Sequence, residues 1–374
     1  MSDAPVSVPM TGEVAEGFGP VADVFRDNFE RGEELGAQFA VRRGGETVVD
    51  LVGGWRDRKR MEPMRADDLV AVFSSGKAVA ALAVALCVER GELDYDAPMT
   101  TWWPEFGAEG KQDVTLGMAL SHQAGLPGIT NPEWTPSDWL DWEKTCSELA
   151  GQAPIFPPGS ASGYHPVTYG FLAGEPVRRA TGRTLGGIVG EDFASDVFIG
   201  TGEHERAAAM RKPSGMANFG KVTPAVRAAF FMPWSSPGGA GAAAWREAEL
   251  AGSNCHATAR GLAEVMGLAL DGHLRGKRML SDATLERFRE VRVSGRDLVL
   301  PFELQYAAGV MRNAPNFNYG PNTDTVGHSG WGGSCVWADG EAGVSGAYAM
   351  TRQSPSLMGD PRSLRLIEAL YGCL

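Results

Sequence analysis

The chain has 374 residues, 43% of them apolar and 21% charged, with a formal net charge of -12. That size buries one large core or two. The acidity removes the basic patches that nucleic acid and anionic lipid require, so neither is expected as a partner.

The first residues lack the basic and apolar regions of a secretory signal, and the longest apolar stretch, 78–88, is too short to span a bilayer. A cytoplasmic protein is the expectation. Residues 19–35 carry the spacing of an amphipathic helix. The run GAQFAVRRGGETVVDLVGGWRD (36–57) reads as two β-rich segments joined at Gly44-Gly45, a hairpin signal. After Asp67-Asp68, the stripe Val79, Leu82, Ala83, Leu86, Cys87 predicts a helix from about Ser74 to Gly91.

From about Pro98 to Gly252 helical patterns, Trp, Pro and Gly dominate, with one helix expected over 167–180. Residues 239–244 match G-x-G-x-x-A, but a Pro-rich loop precedes them and not a strand; a flexible loop is expected there, not a dinucleotide site. Short β-like runs follow at 306–312, 334–338 and 347–351, and RSLRLIEALYGCL closes with helical spacing. Short, non-crossing connections favour terminal strands that share one sheet. The expected organisation is an α+β chain: an α/β sandwich from 1–97 and 253–374, a mainly helical insert over 98–252, and a small-molecule cleft between them.

Five scattered cysteines (Cys87, Cys146, Cys255, Cys335, Cys373) form no C-x-x-C pair and read as reduced core residues. The six histidines are dispersed, with no H-E-x-x-H, so no metal is expected. His122 reads as a helix-end tether, and His165 and His328 as residues that line the cleft or pack. Residues 327–331 approach G-x-S-x-G but end in Trp, which disfavours an α/β-hydrolase. Trp134, Trp139 and Trp234 are core residues or walls of an acyl pocket.

The run VFSSGKA (72–78) carries the chemistry. Ser74 and Lys77, three apart, share a helix face, whereas Ser75 and Lys77 point apart. A serine hydroxyl needs a base, and lysine serves only when its pKa falls by roughly 3 units from about 10.4, which burial and a helix N-terminus both favour. Seven lysines occur, and chance alone gives about 0.4 S-x-x-K matches among them, so the pattern needs support from elsewhere.

That support is the ordered set FSSGKA, VTLGMALSHQAGLP, PPGSASGYHPVTYGFLAGEPVRRATGRTL and VGHSGWGGSCVWADGE. Together they resemble the serine β-lactamase-like superfamily, and within it the family VIII carboxylesterases, relatives of class C β-lactamases and D-alanyl-D-alanine peptidases. The resemblance implies an antiparallel sheet flanked by helices plus a helical insert, and a serine hydrolase that cleaves small-molecule esters through an acyl-enzyme, with no cofactor. It implies Ser74 as nucleophile, Lys77 as base and Tyr164, in Tyr164-His165-Pro166, as their partner; Tyr169 is a rival that reads as packing.

Two stretches compete for the place of the β-lactamase Lys-Thr-Gly. Trp331-Gly332-Gly333, the favoured one, makes the Ser334 amide the second oxyanion donor beside that of Ser74; His328-Ser329-Gly330 makes it Trp331. Neither supplies a lysine, which weakens β-lactam recognition and leaves a neutral ester as the expected substrate. β-Lactamase, peptidase and transacylase activities are the alternatives on the same scaffold.

Overall fold

The computed structural model describes residues 8–215, 217–237 and 242–374. A nine-stranded antiparallel sheet organises the molecule. Its strands are β1 (Met10–Val14), β2 (Gly36–Arg43) and β3 (Glu46–Gly54), then β9 (Val293–Arg296), β10 (Glu303–Tyr306), β11 (Met311–Arg312), β12 (Val326–Ser329), β13 (Cys335–Asp339) and β14 (Val344–Met350). The order is β1-β3-β2-β14-β13-β12-β11-β10-β9. Between them in the chain lie β4 (Val70–Phe73), β5 (Val197–Ile199) and β6 (Cys255–Ala257), which form a small sheet in the order β4-β6-β5, and the hairpin of β7 (His273–Leu274) and β8 (Lys277–Arg278).

The two chain ends share one sheet, as expected. β14 pairs with β2 from Val344↔Arg43 to Met350↔Ala37. Gly44 and Gly45, both at positive φ (57° and 85°), form the predicted turn between β2 and β3. The predicted first helix is shorter than expected: α1 (Gly19–Glu30) stops because Gly32 takes a left-handed φ of 68° and the chain turns into β2. α1 and the C-terminal helix Pro361–Tyr371 cover one face of the sheet, where Phe25, Phe29, Leu366 and Leu370 bury against Phe39 and Trp337.

α2 (Gly76–Glu89) lies on the other face. It is apolar all round: every residue from Gly76 to Val88 is buried. The middle segment supplies α3 (Leu116–Leu120), α4 (Trp142–Gly151) and α5 (Tyr169–Thr181), whose apolar residues join the core around α2. Trp134, Trp139 and Trp234 are buried in that core; the indole N–H of Trp139 donates to the Trp234 carbonyl at 2.6 Å. Of the residues 239–244, those up to Gly241 lie outside the described residues, and a helix, Ala242–Glu247, follows. All five cysteines are free, and all but Cys373 are buried.

Candidate active site

β4 delivers the chain to Ser74 through a tight turn. Phe73 has a φ of 49°, a left-handed conformation that costs a non-glycine residue roughly 1–3 kcal/mol. The Ser75 amide donates to the Val72 carbonyl at 3.2 Å and the Lys77 amide to that of Ser74 at 3.0 Å, which starts α2. Ser74 therefore sits just before the helix, partly exposed, while Ser75 is fully buried, its hydroxyl 3.0 Å from that of Ser334.

Lys77 Nζ lies 2.9 Å from Ser74 Oγ. It also donates to the carbonyl oxygens of Pro166, at 2.8 Å, and Gly252. The lack of a side chain on Gly252 eases this approach: a Cβ there would lie 3.0 Å from the carbonyl oxygens of both Pro166 and Val167. No carboxylate pairs with Lys77 among the described residues, and the side chain is wholly buried. Burial alone drives its pKa well below the ordinary lysine value. The Ser74 hydroxyl donates to the Gly252 carbonyl at 3.2 Å; in a neutral amine, rotation of that hydroxyl toward Nζ gives its proton a lone pair to go to.

Tyr164 closes the other side. Lys77 Nζ is 4.9 Å from its ring centroid, and the Ser74 hydroxyl opposes the rise that burial gives the Tyr164 pKa. Burial raises the Tyr164 pKa, so this phenol stays protonated at neutral pH. Tyr169 differs: its hydroxyl lies 3.5 Å from the Lys77 carbonyl oxygen and packs against Gly309. The backbone of Tyr164 is held by Asp297, whose Oδ1 accepts the Tyr164 amide at 3.1 Å together with those of Val299 and Leu300 at 2.9 and 2.8 Å. Burial raises the pKa of this carboxyl, and the three amides oppose the rise. Sequence reasoning missed Asp297; the signal available was an acidic residue before the apolar run Leu298-Val299-Leu300 and Pro301, the pattern of an aspartate that ties its own loop.

Three buried histidines surround the tyrosine. The His122 ring is 4.7 Å from that of Tyr164, and its Nδ1 accepts the His165 amide at 3.1 Å. It thereby fastens the end of α3 to the 163–165 loop, the tethering role expected of it. His165 Nε2 accepts the Leu126 amide at 3.0 Å, which makes this imidazole a brace between the 163–165 loop and the segment after α3. His328, on β12, lies 6.0 Å from Tyr164, ring to ring. Burial pushes His165 and His328 down to about 3, so both are neutral at physiological pH.

Beyond β12 the chain reverses through Gly330-Trp331-Gly332-Gly333. Gly330 is pressed against the turn from β4 into α2: a Cβ there would lie 2.2 Å from the Val72 carbonyl oxygen and 2.9 Å from Ser75 Oγ. Trp331 is partly exposed. Gly332 and Gly333, both at positive φ, turn the chain away toward Gln353, Asp360 and Arg362. Ser334 is fully buried, with its hydroxyl on the Val72 carbonyl at 2.8 Å and its carbonyl taken by the Gly330 amide at 2.8 Å. The Trp331 ring stacks on Phe219 (6.2 Å, 13°), which in turn touches Phe230 and Phe231.

A family model described as Beta-lactamase matches residues 21–370. The esterase/beta-lactamase LipL of Mycobacterium tuberculosis is 32% identical over 370 residues, covering 92% of this chain and 83% of LipL. A penicillin-binding protein homologue from Caulobacter crescentus superposes with a TM-score of 0.95 at 52% identity, over 98% of this chain and 100% of that one. The crystal structure of a family VIII carboxylesterase does so with a TM-score of 0.91 at 39% identity, again over 98% and 100%.

Proposed function

The chain belongs to the beta-lactamase family, and from that premise we propose that it is a carboxylesterase, a serine hydrolase that cleaves neutral esters through an acyl-enzyme on Ser74. The observation that carries this is the 2.9 Å contact between a hydroxyl and a buried, uncompensated lysine. Ser74 Oγ attacks the ester carbonyl carbon as its proton passes to the Lys77 lone pair. The C–O bond to the alcohol then breaks, and Tyr164, protonated and beside Lys77, relays the proton to the departing alkoxide and is replenished from Lys77. Water enters by the reverse route and frees the acid.

The oxyanion is assigned to the amides of Ser74 and Trp331. Burial of Ser334 behind Ser75, and the close seat of Gly330 on the turn from β4 into α2, support Trp331 over the Ser334 amide favoured from the sequence. Each such donor is worth about 100 to 1000-fold in comparable sites. Gly332 and Gly333 then serve to turn the chain, and His165 braces the 163–165 loop against the segment after α3.

Two features favour an ester of an apolar acid over a penicillin-like amide. The side chain on β12 nearest the site is His328, neutral at physiological pH, which leaves no cation there to hold a carboxylate. The Trp331–Phe219 stack offers an apolar wall beside the proposed oxyanion donor. Intact-mass measurement with a fluorophosphonate probe tests the proposal: one adduct on the parent protein, absent from Ser74→Ala, is expected, and a protein that gains none is not a serine hydrolase. Turnover of short p-nitrophenyl esters should exceed that of nitrocefin; the reverse ranking favours a β-lactamase.

A further inference from the structure

His328 has one satisfied nitrogen and one bare one. Its Nδ1 lies 2.8 Å from the Ser329 carbonyl oxygen, so Nδ1 carries the hydrogen and Nε2 presents a lone pair. That Nε2 has no hydrogen-bond partner among the described residues, and the residue is 1% exposed. A buried acceptor left unpaired is costly, and natural proteins keep one where a ligand or water completes it.

Its position says which. His328 and its strand neighbours Val326 and Val336 meet the core that holds α2, whereas Ser329 faces the opposite side, bonded to Tyr319. The His328 carbonyl oxygen is 3.5 Å from Ser75 Oγ. The imidazole lies 6.0 Å from the Tyr164 ring, centre to centre, and that ring in turn lies 4.9 Å from Lys77 Nζ.

Resting on the acyl-enzyme reading above, we propose that His328 Nε2 accepts one O–H of the water that attacks the Ser74 acyl-enzyme and so aims its oxygen at the acyl carbon. The other proton of that water passes through Tyr164 to Lys77 as the new C–O bond forms. The bond to Ser74 Oγ then breaks, and the proton returns from Lys77 to the serine. His328 gains and loses no proton, in keeping with an imidazole that stays neutral. It acts on deacylation and not on acylation, which separates this role from that of Lys77.

The experiment is rapid mixing with p-nitrophenyl acetate, following the first turnover and the steady state separately. His328→Leu should keep a burst of about one p-nitrophenolate per active site while steady turnover falls about 10 to 100-fold, with the acetyl adduct accumulating by intact mass. His328→Gln, whose amide oxygen can accept, should regain part of the loss. A burst that slows in step with turnover, or turnover that does not change, overturns the proposal. Should His328→Leu not fold, nitrogen NMR of the parent protein decides: an Nε2–H tautomer for His328 is incompatible with an acceptor role. Absence of any acyl adduct on the parent protein would instead refute the hydrolase reading itself.

Discussion

The Lys77 amine lies 2.9 Å from the Ser74 hydroxyl, and its other hydrogen-bond partners among the described residues are the neutral carbonyl oxygens of Pro166 and Gly252. Without an anion to offset burial, the charged form is the unstable one. Replacement by an uncharged side chain of similar length, Lys77→Met, should preserve folding and cut kcat/KM for a p-nitrophenyl ester by about 100 to 10,000-fold. A change below tenfold contradicts the base assignment.

The adjacent serines should separate cleanly. Ser74→Ala should lose at least about 1000-fold in turnover. Ser75→Ala should stay within a few-fold, because Ser75 is buried against Ser334 and the His328 carbonyl and faces no substrate. Steady-state kinetics on the two variants decides, and the reverse result reassigns the nucleophile.

Tyr164 keeps its proton at neutral pH, so its role is to pass a proton and not to generate a phenolate. Tyr164→Phe should lower kcat about 100-fold with a smaller change in KM. Tyr169→Phe should leave kcat within a few-fold, since its hydroxyl meets only the Lys77 backbone and packing.

Asp297 positions the tyrosine through the backbone. Asp297→Ala strands three amides, those of Tyr164, Val299 and Leu300, and should cost about 3 kcal/mol of stability by urea unfolding, with a lower kcat. Asp297→Asn, which keeps an acceptor oxygen, should recover most of both.

Acid should unfold the protein from an early point. His122, His165, His328 and His256 are buried neutral, with pKa values driven down mainly by burial, the last three to about 3, 3 and 4. The unfolded chain takes up protons near pH 6.5 while the native state does not, so stability falls as pH drops below that point, by on the order of 1 kcal/mol per pH unit per histidine. The buried carboxyls Glu34 and Asp297, raised by burial, act with the opposite sign in the carboxylate range, which makes pH 5 to 6.5 the window to measure. Urea midpoints that do not move across that window contradict the neutral cluster.

The parts of this site that are side chains in a fixed local spacing are legible in the sequence. Ser74 and Lys77 declare themselves through one helical turn, and Tyr164 through its neighbours. The hairpin at Gly44-Gly45 and the β character of both chain ends are equally plain. What the sequence hides is contributed by backbone or by distant chain. The carbonyls of Pro166 and Gly252 carry no residue signature, and Phe73, a bulky residue at positive φ, is the type least expected there. The choice between the Trp331 and Ser334 amides depends on which way a glycine turn folds, which two overlapping Gly-rich motifs leave open.

The most direct measurement is the pH dependence of Ser74 phosphonylation by a fluorophosphonate, a single chemical step that needs the unprotonated lysine. The rate should rise from acid and level off well below about pH 10.4, the ordinary lysine value. A rate that keeps climbing tenfold per pH unit through pH 9 and 10 would mean that Lys77 is charged in the resting enzyme, and some other group would have to take the serine proton.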